Sequence, residues 1–241
     1  SGAGITQEQA APVIFSLAGK RVAFAAYTDS TTHPAKENYP DLFLNIFDPD
    51  RVSAEVRSLR SQADIVIISI HWGTDYSFFH EPWQRDAARK IAEAGADIIM
   101  GHHSHTLQPF ERFDSTMVFY GLGGLIFGDF EKRGKMYALF RRTKRSAVFM
   151  VDDRCVISEI ISTHEKKGNF IVDGRRDIRK RNRRLQWLSS IRERSRVAAS
   201  VISFHEKVLS RVYEYFFGYY MNPFRRLFQF RNISKAGKLF R

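Results

Sequence analysis

The chain has 241 residues, 44% of them hydrophobic, and a formal net charge of +12. That length and apolar content are enough to bury a sizeable core, which excludes a chain disordered throughout. A single cysteine, Cys155, excludes an intramolecular disulfide and any cysteine-rich zinc site, and no run of 18 apolar residues or signal-like start is present.

The charge is unevenly spread. Residues 164–241 carry 20 Lys and Arg against 6 Asp and Glu, net +14, so the preceding residues are near neutral. This divides the chain into an expected folded domain, 1–163, and a basic amphipathic helical tail, 164–241.

In chain order, Val13–Leu17 and Arg21–Tyr27 flank Ala18-Gly19-Lys20 and read as a hairpin. Residues Thr28 to Pro49, with three prolines among polar residues, read as a long loop. Val52, Val56 and Leu59 recur at helical spacing, so a short amphipathic helix is expected over Arg51–Ala63. Asp64–Ile70 is apolar on both faces, as a central parallel strand must be.

An aromatic loop, Tyr76–His80, leads to Glu81-Pro82, which suits a helix start. Trp83, Ala87, Ala88, Ile91 and Ala94 are the expected apolar face, with Gly95 as the left-handed cap. A second buried strand, Asp97–Met100, then delivers Gly101-His102-His103-Ser104-His105. Later runs, Met117–Tyr120, Tyr137–Phe140, Ala147–Val151 and Val156–Ile161, are expected to supply a hairpin side and a second, antiparallel sheet.

The histidines are the main chemical signal. In an extended segment side chains alternate, so His103 and His105 are expected on one side and His102 with Ser104 on the other. His71, at the end of the preceding strand, would complete a three-histidine cluster. Neutral imidazoles at adjacent strand ends suit zinc, iron, nickel or copper, and manganese where carboxylates join them. His80 is read as a surface or substrate-wall residue, as is His33, while His164 and His205 are read as structural.

The block IISIHWGTDYSFFHEPWQRDAARKIAEAGADIIMGHHSHTLQPFERFDSTMVFYGLGGLIF resembles the carboxyl-terminal half of the CapA/PgsA-like proteins of capsule and poly-γ-glutamate synthesis, within the calcineurin-like metallophosphoesterase superfamily. Their pattern is an H-W-G-x-E-Y strand end, a helix with a Q-R-x-x-A core, G-x-H-P-H-x-x-Q-P, and a hairpin ending in L-G-N-F-x-F. The match covers roughly residues 1–160, Gly2-Ala3-Gly4 and the first hairpin included.

The resemblance implies a four-layer αββα sandwich of α/β class, apparently incomplete at its amino terminus, with a two-metal site at the strand ends. It makes His71, His103 and His105 metal ligands, leaves His102 at a variable position, and implies divalent ions such as Mn, Fe or Zn. The default chemistry would be phosphoester hydrolysis on an anionic polymer or phosphoester substrate. The family's amino-terminal aspartates and Asn-His pair are not found in this chain, which on this reading lacks part of the metal site. Asp75 replaces the usual Glu, Ser104 a Pro and Gly124 an Asn; Asp29 and Asp129 are weighed as substitute carboxylates, against the plainer role of capping turns.

In the tail, an arginine-rich run at 175–184 is followed from Leu188 by Ile191, Ala198, Ile202, Leu209 and Phe216 at helical spacing, expected as one long amphipathic helix. Phe224, Leu227 and Phe228 with Arg225, Arg226 and Arg231 form a short basic amphipathic segment. An anionic membrane surface is a partner such a tail would suit, as is packing on the domain; nucleic acid is disfavoured because no DNA- or RNA-binding motif accompanies the charge. A cell-envelope or membrane-associated location follows from the resemblance alone. Two functions are therefore expected: a metal-dependent hydrolase of capsule metabolism, or a non-catalytic assembly factor that keeps the fold.

Overall fold

The computed structural model describes residues 2–32, 41–125, 130–132, 135–137, 143–152, 154–166, 169–172 and 178–204. It begins with β1 (Ala3–Gly4), one helical turn α1 (Gln7–Ala10), and the expected hairpin of β2 (Val13–Leu17) on β3 (Lys20–Thr28). Ala18 and Gly19 take positive φ, 51° and 79°, the mirror-image turn that matches strand twist. Inside the expected loop, β4 (Phe43–Leu44) pairs with β1 and Thr28 bridges to Ile46. Residues 33–40, including His33, lie outside the described residues.

Helix α2 (Pro49–Arg60) starts earlier than the spacing predicts. Asp48 accepts the Arg51 amide at 2.8 Å and Pro49 occupies the first turn, so this proline opens the helix instead of closing the loop. Strand β5 (Ile65–His71), helix α3 (Pro82–Glu93) and strand β6 (Ile98–His102) follow as expected. The Glu81 amide donates to Gln84 Oε1 at 2.7 Å, and Gly95, at φ 105°, ends α3. One expectation fails within α3: Trp83 is 41% exposed, and Gln84 takes the buried position. Gln84 is needed there because its side chain caps the helix start.

After β7 (Phe110–Phe113) and β8 (Thr116–Phe119) come the small pair β9 (Phe130–Lys132) and β10 (Lys135–Tyr137). Then β11 (Arg145–Val151), β12 (Ile157–Lys166) and β13 (Asn169–Val172) make an antiparallel sheet. Residues 138–140 of the expected Tyr137–Phe140 strand lie outside the described residues. The chain ends its described course in α4 (Ile178–Arg194) and α5 (Arg196–Phe204).

The central sheet has the order β2-β3-β5-β6-β8-β7. Its four inner strands run parallel, and β2 and β7 close the edges antiparallel. Alternation divides its side chains between two cores. Val66, Ile68, Ile70, Ile99 and Val118 face α2 and α3, with Val52, Val56, Ala88 and Ile91. Ile67, Ile98, Met100, Met117 and Phe119 face the second sheet, with Ala147, Phe149, Ile157 and Ile160. A strand covered on both sides must be apolar at every position, which is why β5 reads as a continuous hydrophobic run. The result is the mixed α/β architecture around a central sheet that the resemblance implies.

Helix α4 seals the β7 edge. The Asn182 side chain accepts the Phe110 amide and donates to the Phe110 carbonyl, each at 2.8 Å, and Gln186 donates to the same carbonyl at 2.7 Å. These bonds replace the neighbour strand an edge lacks. The helix begins at Ile178, ten residues before the expected start, and breaks at Ser195, whose hydroxyl accepts the Ala198 amide at 3.2 Å. That capping bond separates α4 from α5 where one helix was expected. Residues 205–241, including His205 and the Phe224–Arg231 segment, lie outside the described residues. Among the described residues no helix is long and apolar enough to cross a membrane.

Candidate metal site

Parallel pairing brings His71 level with His102 at the carboxyl ends of β5 and β6. The His71 ring lies 5.1 Å from that of His102 and 4.5 Å from that of His103, centroid to centroid. Trp72 locks this junction from below: its indole N–H donates to the Tyr120 carbonyl at 3.2 Å. The two groups meet across Gly101, where a Cβ would stand 2.1 Å from the Tyr120 oxygen and 2.3 Å from the indole nitrogen.

The segment after β6 is not extended. His103 and His105 have φ of 93° and 53°, so strict alternation does not orient their rings. Both nevertheless turn to one carboxylate: Asp75 Oδ1 lies 3.6 Å from His103 Nε2 and 4.0 Å from His105 Nε2. Between them Ser104 is buried and donates to the Thr106 carbonyl at 3.2 Å. Two left-handed residues around a buried serine thus do what alternation was expected to do.

His71 is oriented by a second contact. The Thr32 hydroxyl lies 3.0 Å from both the Asp29 and His71 carbonyls and 3.1 Å from His71 Nδ1. A hydroxyl has one proton, and with it committed to a carbonyl the Nδ1–H of His71 must donate to Thr32. Nε2 then carries the lone pair, the arrangement a ligating histidine needs. Burial, then repulsion from His103 and His105, lowers the His71 pKa; burial also lowers that of His105. Neutral imidazoles result.

His102 turns aside, with Nε2 3.1 Å from the Ser69 hydroxyl. Desolvation among the crowded rings lowers its pKa to about 4. Asp29 caps its own loop by accepting the Thr31 amide at 2.9 Å. Asp129 lies outside the described residues. The residue that sequence reasoning passed over is therefore Asp75, noted only as a conservative replacement for Glu. Its position four residues after His71 in the H-W-G-x-[D/E] pattern was the available signal.

The loop bearing Asp75 is held from two sides. The Tyr76 amide donates to the Ser104 carbonyl at 2.8 Å, tying the loop to the histidine segment. Gln108 Nε2 donates to the Ser77 and Phe79 carbonyls, each at 3.0 Å. From α4, Arg192 donates to the His80 carbonyl at 3.0 Å and to Glu81 Oε2 at 2.7 Å, while Thr74, beside Asp75, donates to Glu81 Oε1 at 3.3 Å.

His80 is not a surface or substrate-wall residue. It is 5% exposed and stacks on Tyr120 with centroids 3.9 Å apart. Burial lowers its pKa to about 4, so the Glu193 carboxylate 3.6 Å away faces a neutral ring, beyond hydrogen-bond reach.

The side chains gathered here, three imidazoles with the Asp75 carboxylate within 4.0 Å of two of them, are of the chemical kind that divalent cations take. Among the described residues, no group of three or more His, Cys, Asp or Glu side chains is placed so that it could hold a metal ion.

Residues 1–129 match the family model of the bacterial capsule synthesis protein PGA_cap. The chain is 37% identical over 111 residues to the PGA biosynthesis protein CapA of Bacillus subtilis, covering 45% of this chain and 29% of that one. It is 30% identical over 176 residues to the capsule biosynthesis protein CapA of Bacillus anthracis, covering 70% and 41%. A probable polyglutamine synthesis accessory protein of Mycobacterium tuberculosis is 31% identical over 125 residues, covering 49% and 32%. The chain thus spans well under half the length of these relatives. Among solved structures it resembles a putative 5'-nucleotidase from Staphylococcus aureus (13% identity, TM-score 0.38, covering 67% of this chain and 28% of that one). A novel phosphatase from Mycoplasma pneumoniae is similar at 12% identity and TM-score 0.41, covering 67% and 57%. The family match spans more than half of the chain and includes the strand ends that carry His71, His103 and His105: the chain belongs to the PGA_cap family of bacterial capsule synthesis proteins.

Proposed function

We propose that this chain carries the metal-binding end of a phosphoesterase-type hydrolase of bacterial capsule or poly-γ-glutamate synthesis. The observation that supports this most is the meeting of His103 and His105 on Asp75, with the His71 ring against that of His103. His71, His103 and His105 would hold a divalent ion, Mn, Fe or Zn, with Asp75 as the carboxylate. Such an ion supplies Lewis-acid charge for a phosphate-like oxygen and lowers the pKa of water. Around it the protein keeps His71 in one tautomer through Thr32 and holds Asp75 in place through Tyr76 and Glu81. An anionic polymer, or a phosphoester linked to its assembly, is the class of substrate this chemistry suits.

The test is metal content by mass spectrometry, with hydrolysis of p-nitrophenyl phosphate measured alongside, in the protein and in His103→Ala and His105→Ala. Metal present in the parent and lost in both variants is expected; equal metal in all three would remove the ligand assignment. That no group of three or more His, Cys, Asp or Glu among the described residues is placed to hold a metal ion favours a second reading, an assembly factor that keeps the fold without turnover. Metal bound with no hydrolysis under any divalent ion would select it.

A further inference from the structure

The basic segment after the second sheet does two different things, and only one of them is absorbed by the fold. Ile178, Asn182, Leu185 and Ser189 of α4 are buried against the body. The opposite face presents Arg183 and Arg184 to solvent, with Trp187 beside them at 62% exposure. Helix α5 buries no residue at all. Its Val197, Val201 and Phe204 are 75%, 62% and 66% exposed and, spaced i, i+4, i+7, form a single stripe. Arg194 and Arg196, both exposed, stand at the junction of the two helices.

We infer that this outward face of α4 and α5 docks on an anionic lipid bilayer, as an in-plane amphipathic anchor. Of residues 178–204, Arg179, Lys180, Arg183, Arg184, Arg194 and Arg196 are exposed against one acidic residue, Glu193, so the attraction is to negative charge. A second copy of the chain would bring the same positive face and be repelled. A soluble polyanion would pair with the arginines but leave Trp187, Val197, Val201 and Phe204 in water. A bilayer interface satisfies both sets: phosphate headgroups meet the guanidinium groups, and the apolar stripe and indole enter the acyl boundary. Because Asn182 and Arg192 fix α4 to the body, its outward face has one orientation to present. Contact would be peripheral and independent of any metal.

The test uses the whole chain with phosphatidylcholine vesicles containing roughly one third phosphatidylglycerol, a fraction that gives a cell-like negative surface potential. Co-sedimentation and quenching of tryptophan emission by brominated acyl chains are the readouts. Bound protein is expected to be quenched, and Trp187→Phe to abolish most of that quenching, Trp72 and Trp83 being on the body. Val197→Glu with Val201→Glu should lower vesicle partition by about tenfold or more while circular dichroism is unchanged. Vesicles of phosphatidylcholine alone should bind far more weakly. Quenching retained in Trp187→Phe, or partition unaffected by the double substitution, would overturn the inference. So would soluble polyglutamate that binds the protein while the vesicles do not.

Discussion

The same two strands, β5 and β6, end in opposite ways. At their amino ends the Asp97 carboxylate accepts the Val66 amide at 2.7 Å and Arg60 Nη1 at 2.5 Å, and Arg60 Nη2 reaches the Ala63 carbonyl at 2.6 Å. Charge and backbone are matched within one small network. At their carboxyl ends, three imidazoles crowd together, His103 and His105 adopt left-handed backbone, and the Asp75 carboxylate stands 3.6 and 4.0 Å from their ring nitrogens. One end is matched within a single network; the other sets imidazoles around a carboxylate. Left-handed backbone at two non-glycine residues persists only where the surrounding structure imposes it.

The largest expected effect tests what holds the two ends together. Gly101→Ala drives a methyl into the Tyr120 carbonyl and the Trp72 indole, with no flexible group to yield, and should cost about 4 kcal/mol in urea denaturation. Acidification comes next. The folded-state pKa of His80, about 4, lies below the ordinary value of 6.5, so the unfolded chain binds its proton first. The stability His80 contributes is present above pH 6.5 and is lost as pH falls towards 4, by about 3 kcal/mol. Glu111, Arg85, Arg192 and Glu193 surround it, and His80→Phe, which keeps the stack on Tyr120, should flatten this part of the pH profile.

Asp97→Ala, at the matched end, should cost about 2 kcal/mol, since it leaves the Val66 amide and Arg60 without their shared acceptor. Arg192→Ala should cost about 1 kcal/mol and weaken metal binding about tenfold, because it frees Glu81 and the loop that carries Asp75. The smallest effect has the opposite sign. His103→Gly removes a side chain from a φ of 93° and should raise stability by about 1 kcal/mol in thermal unfolding while abolishing metal binding. A destabilised His103→Gly protein would erase the contrast between the two ends.

Much of this was legible from residue order. The apolar run of β5 signalled a strand covered on both faces, and the Ala-rich stripe of α3 signalled the helix between β5 and β6, because burial imposes those periods locally. Trp83 misled because an aromatic at helical spacing looks buried, whereas the capping bond of Gln84 decides which residue faces inward. Asp75 was hidden for a different reason. Its partners lie about thirty residues away, and its place between them is made by left-handed turns that no periodicity records. His80 likewise reads as a loop residue until Tyr120 and α4 are brought over it. The start of α4 lies in polar sequence held to the β7 edge through groups such as Asn182, and so carries no hydrophobic signature.

The central claim is that His71, His103, His105 and Asp75 hold one metal site. A crystal soaked in manganese, with data collected at the manganese absorption edge, tests it most directly. The account predicts an anomalous peak enclosed by those four side chains, absent from His103→Ala crystals. A peak elsewhere, or none at an occupancy that solution binding says should be high, would contradict it.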